Sequence, residues 1–178
     1  MTVGITTPVV TAVTASVNEF AKLEQAVGGV ETLFKGSARD VIENSESAYR
    51  RAGVSGVAYM EQVTSFSARL LQGLGGDTKE AARIADIAMV DMSDNANKFG
   101  TGIESIQNAY QGFAKANYTM LDNLKLGYGG TKEEMARLLA DAEKISGIKY
   151  DMENFDDIIE AIHVIQEEMG VTGITDLS

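Results

Sequence analysis

The chain has 178 residues and a mass of 19.0 kDa, enough for one domain or two small ones. It carries 26 acids against 15 bases, a net charge of −11, so counterion release offers it nothing and specific nucleic-acid binding is not expected. The absence of Cys removes disulfides, thiolate metal sites and a Cys nucleophile, and a single His, His163, removes multi-histidine metal sites.

Met1 to Asn18 holds no charged side chain. It lacks the basic n-region of a secretory signal, and five Thr with Pro8 and Ser16 make it too polar to span a membrane. Thr2 rather than Gly follows Met1, so myristoylation is not expected either. The expectation is a chain made and kept in a cytoplasm.

The pattern then predicts a train of helices. The first runs from about Val9 to Val27, with Val13, Val17, Phe20 and Val27 on one face and Gly28-Gly29 as its cap. Its Thr and Val content weakens its start. A second spans about Glu31 to Ala52, with Gly36 as a weak point and Gly53 as its end. A third begins near Ser55 and runs through Leu71 to Gly73-Leu74-Gly75-Gly76. Asp77-Thr78-Lys79-Glu80 has capping-box spacing and opens a helix with Ala81, Ile84, Ala85, Ala88 and Met92 on one face, closed by Gly100. Thr101-Gly102-Ile103-Glu104 reads as another box, followed by Ile103, Ile106, Tyr110, Phe113 and Ala114.

Residues 117–130 have no clean helical period and are too apolar for a free linker. Thr131-Lys132-Glu133-Glu134 is a third box, leading Met135, Leu138, Leu139, Ala142 and Ile145 to Gly147. The last helix runs from about Phe155 to Met169, striped by Phe155, Ile158, Ile159, Ile162, Ile165 and Met169, and stops at Gly170. No stretch alternates as a strand would. The fold expected is all-α, a compact bundle of six to eight helices joined by glycine-rich turns. Its organisation reads as a weakly structured segment over 1–22, a helical domain over 23–170 and a flexible tail over 171–178.

The negative charge is uneven. Residues 151–178 hold eight acids and no base, leaving −3 for the rest. This acidic block is a solvated outer face, or a surface that repels DNA or meets a basic partner. The motifs offer no catalytic residue, cofactor or metal. His163, beside an apolar stripe, reads as a boundary residue. Asp91-Met92-Ser93-Asp94-Asn95-Ala96-Asn97 has acids out of register for a calcium loop and reads as a helix end with local side-chain hydrogen bonds. Gly73-Leu74-Gly75-Gly76 and Gly127-Tyr128-Gly129-Gly130 follow no strand, so they read as turns rather than phosphate loops. Asp151, Glu153, Asp156, Asp157 and Glu160 are numerous, but helix N-terminal acids account for Asp156 and Asp157 without an active site.

From Leu23 onward several long runs resemble the tail tape measure proteins of long-tailed bacteriophages. They are Leu23–Phe34, Tyr59–Ser67, Met92–Lys98, Ile106–Lys115, Asn117–Thr131 and Glu160–Gly170. Asn117–Thr131 is the strongest, and the resemblance covers about residues 23–173. It implies a non-enzymatic virion protein that occupies the lumen of the tail tube, sets tail length and leaves ahead of the genome. It also implies assembly in the host cytoplasm. The partners implied are tail tube proteins, tail tip proteins and assembly chaperones, with membrane contact only in a full-length context; a homo-oligomer is open. Tape measure proteins are long, whereas 178 residues as one helix span only about 270 Å. The expectation is therefore a compact module of a longer chain. An alternative is a free-standing helical protein docking on tail or host proteins, with an apolar surface at Tyr118, Met120, Leu121, Leu124, Leu126 and Tyr128. A cell-wall hydrolase is the remaining alternative, opposed by the lone His and the absent Cys.

Overall fold

The computed structural model describes the backbone of residues 7–175 and the side chains of residues 16–175. Expectations for residues 1–6 and 176–178, and for the Val13 side chain, lie outside them. Eight α-helices follow in order: α1 Thr7–Phe34, α2 Ala38–Glu46, α3 Ala48–Ala52, α4 Gly56–Gly73, α5 Thr78–Phe99, α6 Ile103–Ala114, α7 Lys132–Ser146 and α8 Phe155–Glu168. Single 3-10 turns lie at Lys35–Ser37 and Leu121–Leu124, and no strand occurs among the described residues. The all-α bundle expected from the sequence is the fold.

The longest helix after α1, α5, forms the axis, with α1, α2, α3, α4, α6 and α8 packed around it. Its inward face explains this position. Ala81, Ala85 and Ala88 let neighbouring backbones approach, while Ile84, Met89 and Met92 fill the gaps, all of them buried. Phe66 of α4 meets Phe155 of α8 edge to face at 5.8 Å. Ile158, Ile159, Ile162 and Ile165 of α8 are buried between α5 and α7, as their spacing predicts. Ile145 and Met169, placed on apolar stripes by the sequence, project into solvent at the ends of theirs.

Two of the three capping boxes begin where expected. The Asp77 carboxylate accepts from the Glu80 N–H at 3.0 Å, and the Thr131 hydroxyl accepts from the Glu134 N–H at 3.2 Å. The third shifts: α6 begins after Gly102 with no side-chain cap, and the Thr101 hydroxyl is buried without a partner. Gly100 and Gly147 end α5 and α7 at φ of 64° and 74°, the left-handed cap that glycine permits.

Three boundaries differ from the sequence reading. Gly28-Gly29 does not end α1, which continues to Phe34. Each glycine costs about 1 kcal/mol inside a helix, and burial of Ala26, Val30 and Phe34 around them outweighs it. The second expected helix is divided instead, at the Lys35–Ser37 turn and again at Ser47. Finally, residues 171–175 are not a loose tail, because Val171 and Thr175 are buried against the bundle.

Candidate functional site

The most polar buried region is the C-terminal half of α5. Asp91, Ser93, Asp94 and Asn95 are each no more than 2% exposed. The segment Asp91–Asn97 lies in the last turns of α5, which ends at Phe99, but its side chains bond across the fold rather than locally as expected. Spacings of three and four residues put Asp91, Asp94 and Asn95 on neighbouring rows of the helix.

Asp94 holds the C-terminal strap. Its carboxylate accepts from the N–H groups of Gly173 at 2.7 Å, Ile174 at 3.0 Å and Thr175 at 2.8 Å. Three successive backbone donors closing on one carboxylate form an anion nest filled by the protein's own side chain. The Thr175 hydroxyl accepts from the Asn97 amide at 2.9 Å and shares a hydrogen bond with Ser93 at 3.1 Å. The Gly53 turn lies against both Ser93 and Thr175. The strap thus closes over the junction of α3 and α5.

One turn earlier, the His163 Nδ1 of α8 lies 2.9 Å from both Asp91 oxygens, and its Nε2 lies 3.4 Å from Glu167. The Asp91 carboxylate raises the His163 pKa above the ordinary imidazole value, although partial burial opposes it. Asp91 is itself pushed up, because the desolvation of its charge outweighs the help from His163. Both ring nitrogens of His163 face carboxylates, and the pair with Asp91 clamps α5 to α8. Between these knots, the Asn95 amide donates to the Leu124 carbonyl at 2.9 Å and to Gln166 at 2.8 Å. Gln166 in turn donates to the Asp91 carbonyl at 3.2 Å.

The apolar surface expected at residues 118–128 is corrected by this arrangement. Tyr118, Leu121, Leu124, Leu126 and Tyr128 are buried and Met120 is half-buried. The segment packs over the bundle, and its apolar side chains are consumed in doing so. Tyr118 stacks on Phe113 at 6.5 Å, and Tyr128 donates to Asp141 at 2.9 Å beneath the Arg137 guanidinium. Gly130 packs directly on the Thr119 carbonyl, a closeness that no Cβ could share.

The acids around the start of α8 have separate fates, and Asp156 is buried with one carboxylate oxygen unpartnered. Asp157 accepts from the Asp151 N–H at 2.7 Å, Asp151 from the Glu153 N–H at 2.9 Å, and Glu160 pairs with Arg83 at 2.7 Å. A second clamp, not foreseen from sequence, joins α3, α4 and α5. Arg51 donates bidentately to Asp86 at 2.8 and 2.9 Å, and Tyr59 donates to the same carboxylate at 2.7 Å. Among the described residues, no group of three or more His, Cys, Asp or Glu side chains could hold a metal ion, and no helix is long and apolar enough to cross a membrane.

The described surface also has an apolar region, on α1. Residues 16–25 are exposed on every side of the helix. Phe20 and Leu23 line an open groove of about 680 Å³ with Val57, Ala58 and Glu61 of α4. Comparison of the chain with known protein families, curated proteins and solved structures finds no match.

Proposed function

We propose that this chain is a structural module of a phage tail tape measure protein, acting in tail assembly and genome passage. The run Asn117–Thr131 carries the reading, as the longest of the stretches resembling that family. The fold is compatible with it: a rigid helical bead tied by internal polar clamps, with a projecting helix at one end. The acidity supports a chain that shares a channel with DNA without binding it, since like charges repel. Tail tube and tip proteins and assembly chaperones are the partners in this reading.

An antibody raised against the chain and used to blot purified phage particles tests it. A band far above 19.0 kDa places the module within a longer tape measure protein, and a band near 19.0 kDa marks a separate virion component. Absence from particles, with the protein present in infected cells, refutes a virion role. That outcome favours a free-standing docking protein, for which the exposed stripe on α1 is the supporting observation.

A further inference from the structure

Asp156 lies in the first turn of α8, next to the Phe155 ring that packs on Phe66 of α4. A carboxylate at such a position ordinarily faces water and offsets the helix dipole. This one is turned inward. Asp156 is 9% exposed, and its Oδ1 is enclosed without a hydrogen-bond partner. The oxygen is pressed against Gly73, the last residue of α4, where an added methyl group would overlap it. Unlike Gly75 and Gly76, Gly73 has no left-handed backbone to support. Its bare Cα makes room for the carboxylate instead.

No positive charge answers this oxygen. Around Asp156 stand further carboxylates, Asp157 and Glu160 of α8 and Glu80 of α5. The cations on the packed elements are engaged elsewhere. Arg83 of α5 pairs with Glu80 and Glu160, and Arg69 of α4 donates to Gln72 and to the Glu153 carbonyl. Among the described residues no ligand set for a metal ion exists, and an enclosed oxygen leaves no room for an ammonium group. A proton does fit.

We propose that Asp156 takes up a proton in the folded chain, and that this proton latches the start of α8 to the end of α4. Ionised, the side chain is a charge buried against glycine backbone among other acids. Protonated, it is a neutral group that fits the space. Desolvation pushes the Asp156 pKa up, its own N–H opposes this, and repulsion from Asp157, Glu160 and Glu80 adds to it. An acid raised on folding binds its proton more tightly in the native state. The latch is therefore closed below the folded value and loosens as pH rises through it. The inference does not rest on the tape measure reading and holds for a free-standing protein as well.

NMR of the full chain tests it, because a melting curve would mix Asp156 with Asp91 and His163. The Asp156 carboxyl should titrate above the ordinary aspartate range. The amides of Leu74, Gly76 and Ile158 bond to the Leu70, Leu71 and Asn154 carbonyls at this junction. Their exchange protection factors should fall as pH rises through the Asp156 titration. Asp156→Asn, a neutral side chain of the same shape, should keep the three amides protected at neutral pH and leave His163 titrating as before. Gly73→Ala puts a methyl where the oxygen sits, so it should turn the carboxylate outward and return its titration to the ordinary range. Four results would each overturn the proposal: an ordinary titration in the unaltered chain, protection that does not follow pH, loss of protection at neutral pH in Asp156→Asn, or a high titration that survives Gly73→Ala.

Discussion

Replacing Asp94 by Ala should release the C-terminal strap. The carboxylate is fully buried, and three backbone N–H groups of residues 173–175 converge on it. A hydrogen bond to a charged acceptor contributes about 1.5–3 kcal/mol, but these three are not additive. The loss is also capped, because a freed strap returns its donors to water and forfeits only its own docking. That docking rests on burial of Val171 and Thr175 together with the nest. The expected loss is about 2–3 kcal/mol, or about 4–12 °C in Tm for a chain of this size.

The decisive assay is a double-mutant cycle with truncation after Gly170, read by urea unfolding and by amide exchange of Gly173 to Thr175. In the full chain Asp94→Ala destabilises and abolishes protection of these amides. In the truncated chain the same substitution should be neutral or stabilising, because it removes a buried carboxylate that has lost its donors. An equal loss in both backgrounds would refute the strap as the reason for this aspartate.

Other substitutions follow from the same geometry. Asp86→Ala removes the acceptor of both Arg51 and Tyr59 across three helices and should cost about 1–3 kcal/mol by chemical denaturation, with Asp86→Asn recovering part of it. Leu124→Ala should cost about 2–5 kcal/mol as a core truncation, so loss of partner binding on mutating residues 118–128 would report unfolding. Gly130→Ala should cost about 1–3 kcal/mol in the same assay, since its methyl meets the Thr119 carbonyl. The His163 imidazole, held above its ordinary pKa by Asp91, should titrate high by NMR. A group raised on folding contributes fully below its unfolded pKa of about 6.5, and the contribution is lost as pH rises through the folded value. Stability should therefore fall as the solution is made more alkaline than about pH 6.5, and His163→Gln should remove that dependence.

What the sequence made legible follows from local physics. Asp77 and Thr131 cap helices because the cap is decided within four residues, and Gly100 and Gly147 end helices because only the local backbone matters there. Gly28-Gly29 misled because the same local rule was outweighed by distant packing around Val30 and Phe34. Residues 118–128 were correctly too apolar for a linker, yet apolarity alone cannot separate a lid buried on its own bundle from a patch awaiting a partner.

The run from Asp91 to Asn97 carries the same lesson for polar residues. Read alone, two acids and two amides suggest a helix end. In the fold each has a partner far along the chain: His163 and Gln166 on α8, the Leu124 carbonyl, and the strap at Gly173 to Thr175. Nothing within the heptapeptide encodes those partners. The available signal was the frame, because Asp91 and Asn95 lie one turn apart on a helix whose flanking Ala88, Met89 and Met92 are core residues. A polar side chain at a core position draws its partners from inside the fold, and the bonds made by Asp91, Asp94 and the Asn95 amide tie the lid, α8 and the strap to one axis. This makes the polar face of α5 a device that fixes how the later elements dock. Among the described residues, α1 is one place where the apolar stripe outruns the bundle that buries it, with Phe20 and Leu23 in solvent.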